Sequence, residues 1–195
     1  MKNATIHLKS FGFLIVCWLA GFFINMMFPM VYNSMGKLAC FLFGFCSIAA
    51  VGCIYGDWCL KMGGRNHLRT DSEEDIKKKQ HFGLAVGIVP TVVNYILVII
   101  LYLSKFGVIK ADFFPWFRTL SVYFMPFTYL VAPRDSILNN GGIVQFNMAA
   151  ADLSIWAMLL FTVLPLFFLL VCWGMYYIGY NHIDVKEKIL YRPKK

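Results

Sequence analysis

Four apolar runs set the plan of the chain: residues 11–32, 38–56, 82–103 and 153–180. None contains Asp, Glu, Lys, Arg or His. Each offers about 20 residues, enough to cross a hydrocarbon core roughly 30 Å thick. They predict an all-α polytopic membrane protein with four transmembrane helices in a single domain. The fourth run is long enough to tilt or to pass the interface. The first follows Lys2 and Lys9, as a signal peptide would. Its apolar stretch outruns an h-region, however, and no small-x-small cleavage site follows. It reads as an uncleaved span.

Between the third and fourth runs, "FFPWFRTLSVYFMPFTYLVAP" (113–133) is apolar but interrupted by Pro115, Pro126 and Pro133, with Arg118 near its start. A fifth crossing there would carry the basic C-terminal tail to the other side. The segment is therefore expected to be an interfacial or re-entrant aromatic element on the outer face. The Asn-Asn-Gly-Gly that follows, at 139–142, is a turn signal within an outer loop.

The polar stretch 57–81 carries 11 of the 28 charged side chains. Thirteen Lys or Arg fall in this stretch and the two tails, against five (Lys37, Lys105, Lys110, Arg118 and Arg134) on the other side. Positive charge is retained on the cytoplasmic face, so both termini and the 57–81 loop are expected there, in the cell membrane. Within the loop, "TDSEEDIKKKQ" has an N-cap, acids in its first turn and three i,i+4 acid–lysine pairs, and predicts a helical extension of the third span. Aromatic belts are expected at Trp58, Tyr176, Tyr177 and Tyr180 inside, and at Tyr32, Tyr102, Trp116 and Trp156 outside.

Composition agrees with this layout. Hydrophobic residues make up 59% of the chain and charged ones 14%, with a mean hydropathy of +0.65. A soluble domain would carry about 25% charged residues to solvate its surface. The net charge of +8 lies mostly beside the spans, which points to anionic lipid headgroups and not to nucleic acid. Six cysteines, five of them inside the apolar runs and none in a CxxC pair, read as packing residues.

Within the spans, Asn25 and Asn94 are expected to hydrogen-bond between helices, and Pro29, Pro90 and Pro165 to kink them. Gly52 and Gly56 close the second span and Gly83 and Gly87 open the third. These two GxxxG patterns predict a tight hairpin between those helices, with a dimer interface as the competing use. Arg65, Arg69, Lys77, Lys78 and Lys79 are candidates for headgroup contact or for docking a protein partner. The Gly-Gly of "KMGGRN" (61–66) could cradle a phosphate through backbone N–H groups, or simply turn the chain.

Signs of chemistry are missing. His7, His67, His81 and His182, with Cys59 and Asp57, lack metal-ligand spacing, and neither HExxH nor GxSxG occurs. Asp57 and Asp152 fall on opposite sides, so they cannot act as a carboxylate pair. The spans hold no ionisable group of the kind a proton-coupled carrier needs. No cofactor and no enzymatic activity are expected. The role implied is an accessory or scaffold subunit docking through its cytoplasmic loop; the alternative is a small transporter of a neutral or lipid-like substrate.

Three stretches, "YGDWCLKMGGRNH" leaving the second span, "FRTLSVYFMPF" outside the third and the tail "KEKILYRPKK", resemble a family of small four-helix integral membrane proteins of Firmicutes with no assigned function. The resemblance implies a polytopic membrane protein and carries no site residues across.

Overall fold

A computed structural model describes residues 3–67, 82–132, 137–140, 143–146 and 148–181. Four helical segments among these are long and apolar enough to cross a membrane, and the fold is an all-α polytopic bundle. The first is α1 (Asn3–Met26), which breaks at Met27. A short α2 (Phe28–Met35) follows and ends at Gly36, whose φ of 58° turns the chain into α3 (Lys37–His67). The third span is α4 (Phe82–Lys105), and the fourth consists of α7 (Ile155–Val163) and α8 (Leu166–Tyr180). Between α4 and α7 lie α5 (Phe114–Leu120), a 3-10 turn at Val122–Phe124, and α6 (Met125–Val131). Strands β1 (Ile137–Asn140) and β2 (Ile143–Phe146) then pair antiparallel, Ile137 opposite Phe146.

The prolines punctuate this order in a readable way. Pro29, Pro115 and Pro126 sit in the first turns of α2, α5 and α6, where the missing N–H is no loss. The first span therefore ends at Met26 instead of running kinked to residue 32. Among the described residues, only Pro90 lies inside a helix. Its missing N–H frees the Val86 carbonyl, and Ser10 of α1 donates its hydroxyl there at 2.9 Å. Pro165 ends α7; its own carbonyl accepts from Thr91 Oγ1 at 3.3 Å. In a bilayer a freed group such as the Val86 carbonyl must find a partner within the protein, and Ser10 supplies it.

The second span runs well past Gly56. Residues 57–67, expected to open the cytoplasmic loop, are the last turns of α3. Gly63 and Gly64 are thus helical, their N–H groups belong to the helix, and they do not form a phosphate cradle. Gly63 instead lies against the backbone of Tyr176 and Tyr180 on α8, and Gly179 of α8 lies against Leu60. The expected helix over "TDSEEDIKKKQ", with Arg69, Lys77, Lys78, Lys79, His81, His182 and the C-terminal tail, lies outside the described residues.

Close approach of α3 and α4 to each other was the expected hairpin; the structure puts α8 between them. A side chain at Gly83 would meet the Cys172 carbonyl oxygen and Tyr176 Cβ, both at 2.6 Å, and one at Gly87 would meet Leu169 Cα at 3.0 Å. On α3, Gly56 faces the Met175 side chain and Gly52 the Phe167 ring. Helices in lipid gain little from hydrophobic burial against one another, so close backbone packing at small residues supplies much of the attraction. This packing also takes Tyr176 and Tyr180 out of the expected interfacial belt. Both are buried, their rings stacked 5.9 Å apart. Trp116 and Trp156 remain exposed at 64% and 80%.

Candidate functional site: a re-entrant segment and the cavity beside it

Residues 113–131 form a re-entrant segment. It enters beside the end of α4, where Ser104 Oγ accepts from the Phe113 amide at 3.0 Å and donates to the Ala111 carbonyl at 2.9 Å. Asp112 Oδ1 accepts from the Phe114 amide at 3.1 Å and from the Ala150 amide, past the exit, at 2.9 Å. One carboxylate therefore holds the entry of the segment and the later chain at Ala150 to the same end of the bundle. Lys105 adds a clasp through Nζ to the Leu153 carbonyl.

The turn between α5 and α6 reaches deep. Tyr123 donates its hydroxyl to Asn94 Oδ1 at 2.8 Å, and Asn94 sits midway along α4, about 17 Å from either end at 1.5 Å per residue. The Tyr123 ring meets Phe168 edge-on, at 5.6 Å, near the middle of the last span. Gly21 makes room on α1, since a side chain there would lie 3.0 Å from the Tyr123 backbone; Gly44 of α3 does the same for the Phe127 ring.

Backbone carbonyls at the broken ends of such short helices have to be satisfied by protein. The Val122 carbonyl accepts from Asn25 Nδ2 at 3.1 Å, Thr119 from Trp18 Nε1 at 2.8 Å, and Phe117 from Ser121 Oγ at 2.5 Å. Asn25 Nδ2 also reaches the Gly21 carbonyl at 2.8 Å and Ser47 Oγ at 3.2 Å. Asn94 Nδ2 turns back to the Pro90 carbonyl at 2.8 Å. The two asparagines thus bind the re-entrant segment more than they bind helix to helix.

Beside this segment, between the C-terminal end of α1, the start of α2 and α5, is a cavity of about 420 Å³. Asn25, Arg118 and Thr119 supply its polar groups; Phe22, Met26 and Val122 are among its apolar walls. Arg118 donates to the Tyr129 hydroxyl at 2.8 Å and its guanidinium carbon lies 4.9 Å from that ring's centre, which fixes the head over an aromatic face. Asn25 is 4% exposed, and its Oδ1 has no hydrogen-bond partner among the described residues. A buried carbonyl oxygen without a donor costs about 1–3 kcal/mol. Phe22 and Met26 are 46% and 62% exposed on the lipid-facing side, so the cavity opens laterally.

A second cavity of about 320 Å³ lies at the opposite end of α1, against the last turns of α3, with Lys9, Lys61 and Arg65 on its rim. Gly52 borders a shallow apolar groove of about 520 Å³ on the lipid-facing side of α3 and α8. Among the described residues no three His, Cys, Asp or Glu side chains gather where they could hold a metal ion. Cys59, buried, lies within hydrogen-bonding reach of Cys172 on α8.

The chain matches no protein-family model, no curated protein and no solved structure. Sequence reasoning singled out Asn25 and Asn94 but missed Ser10, Tyr123 and Asp112. A lone serine or aspartate near a helix end carries no pattern, and Tyr123 was one aromatic among many.

Proposed function

We propose that this multi-pass protein binds one lipid-like molecule in the cavity beside its re-entrant segment, admits it sideways from the bilayer, and performs no covalent chemistry on it. The observation that carries this reading is the cavity itself, where Asn25, Arg118 and Thr119 meet apolar walls and the Asn25 side-chain oxygen, just beneath the surface, has no donor among the described residues. Polar groups held at membrane depth are costly, and their usual return is a ligand or a pathway. A hydroxyl or amide N–H on the ligand would reach the Asn25 oxygen after a small shift of the side chains that cover it. The Arg118 guanidinium in the same cavity favours an acceptor on the same headgroup, and the exposed Phe22 and Met26 suit its chain. The thirteen-to-five bias of basic residues supports a cytoplasmic position for both termini. The cavity then faces the outer leaflet of the cell membrane.

The accessory role through residues 57–81 gains no supporting observation, because Arg69 and Lys77–Lys79 lie outside the described residues. The test is gentle extraction followed by native mass spectrometry. Wild-type protein should retain a lipid-like adduct, and Met26→Trp, which fills the cavity from its exposed rim without touching the Asn25 hydrogen bonds, should lose it. Asn25→Leu should lose it too. An adduct equally retained by both variants would refute the reading.

A further inference from the structure

The cavity at the other end of α1 is built differently. Lys9 reaches it from α1, while Lys61 and Arg65, one turn apart, reach it from α3. Asp57 pairs with Lys61 at 2.7 Å, so three cations face one carboxylate. Below them Phe13 and Trp58 stack with ring centres 4.6 Å apart, closing the floor toward the bilayer core. Asn66 stands at the rim, its Nδ2 donating to the Tyr176 hydroxyl at 3.0 Å.

We propose that this cavity holds the phosphate of an anionic phospholipid, clamped between Lys9 of α1 and Arg65 of α3. Two features favour a lipid over a free anion. The backbone N–H groups of α3 are engaged in its helix, so none is left to cradle a small phosphate from below. The stacked Phe13–Trp58 floor suits the glycerol and upper acyl carbons that accompany a lipid phosphate. A bound headgroup would add a second bridge between two helices already joined nearby by the Tyr55 hydroxyl, which donates to the Ser10 carbonyl at 2.7 Å, and would offset the repulsion among three neighbouring cations. The proposal stands whatever the outer cavity binds.

The test uses the full-length protein in detergent, with phosphatidylglycerol and phosphatidylcholine added in equal amounts and counted as adducts by native mass spectrometry. Phosphatidylglycerol should be preferred, and each cation removed in Lys9→Ala and Arg65→Ala should lower that preference about fivefold. The charge-keeping pair Lys9→Arg with Arg65→Lys should preserve most of it. Removing two cations elsewhere, in Lys37→Ala with Lys110→Ala, should leave it intact. Equal loss in that control would reduce the effect to net charge, and equal binding of both lipids by wild-type protein would overturn the proposal. Abolition of the preference by millimolar inorganic phosphate would assign the site to a free anion instead.

Discussion

The Asp112 carboxylate accepts a hydrogen bond from the Ala150 amide at 2.9 Å, across 38 residues of chain. The chain therefore leaves Asp112 and returns to Ala150 at one end of the bundle, after the dip to its middle. The five-span alternative would separate Asp112 from Ala150 by the thickness of a bilayer.

Asp112→Ala should destabilise the protein by about 1–3 kcal/mol, since two backbone amides lose their acceptor. Asp112→Asn keeps an acceptor oxygen at the same place and should cost less than half as much. Unfolding in a fixed detergent, followed by the accessibility of buried Cys17 or Cys172, measures both.

The Tyr123–Asn94 hydrogen bond is the deepest anchor of the segment. Hydrogen bonds between membrane helices average about 0.6 kcal/mol with a maximum of about 1.7 kcal/mol. A double-mutant cycle with Tyr123→Phe and Asn94→Leu should give coupling within that range. Zero coupling would show that packing alone holds the tip.

Ser10 and Pro90 should behave as a pair. Ser10→Ala leaves the Val86 carbonyl without its donor and is expected to cost about 1–3 kcal/mol. In a Pro90→Ala background the restored helix N–H can serve Val86, so the same serine replacement should cost much less. Equal costs in both backgrounds would remove the proline from the explanation.

Glycines should separate by what they face. Gly83→Ala drives a methyl group into the Cys172 carbonyl and Tyr176 and should cost about 1–3 kcal/mol. Gly12 has nothing within 4 Å, so Gly12→Ala should be neutral or stabilising by about 0.5–1 kcal/mol. Thermal unfolding of the two variants side by side decides it.

These contrasts also mark where the sequence was informative. The existence and number of the spans were legible because length and apolarity decide them locally. Pro115 and Pro126 correctly marked 113–133 as something other than a crossing, yet its depth depends on room made by Gly21 and Gly44, in helices far away in the chain. The end of the second span was misread for a related reason. Asp57, Lys61 and Arg65 look like a loop in a linear scan, whereas on a helix they share one wet face. Gly63, which reads as part of a turn, turns out to face α8. Tyr176 and Tyr180 fit an interfacial belt by position along the span, and only their face of the helix shows them to be packed inside.

Residues 113–131 are expected to enter and leave the membrane on one side. Single cysteines at Ala111 and Ala151, each placed alone in a cysteine-free chain, should be labelled from the same side of sealed, oriented vesicles by a membrane-impermeant maleimide. A cysteine at Tyr123 should resist the reagent from either side. Labelling of 111 and 151 from opposite sides would contradict the account, turning the segment into a fifth span and removing the basis for the cavity beside it.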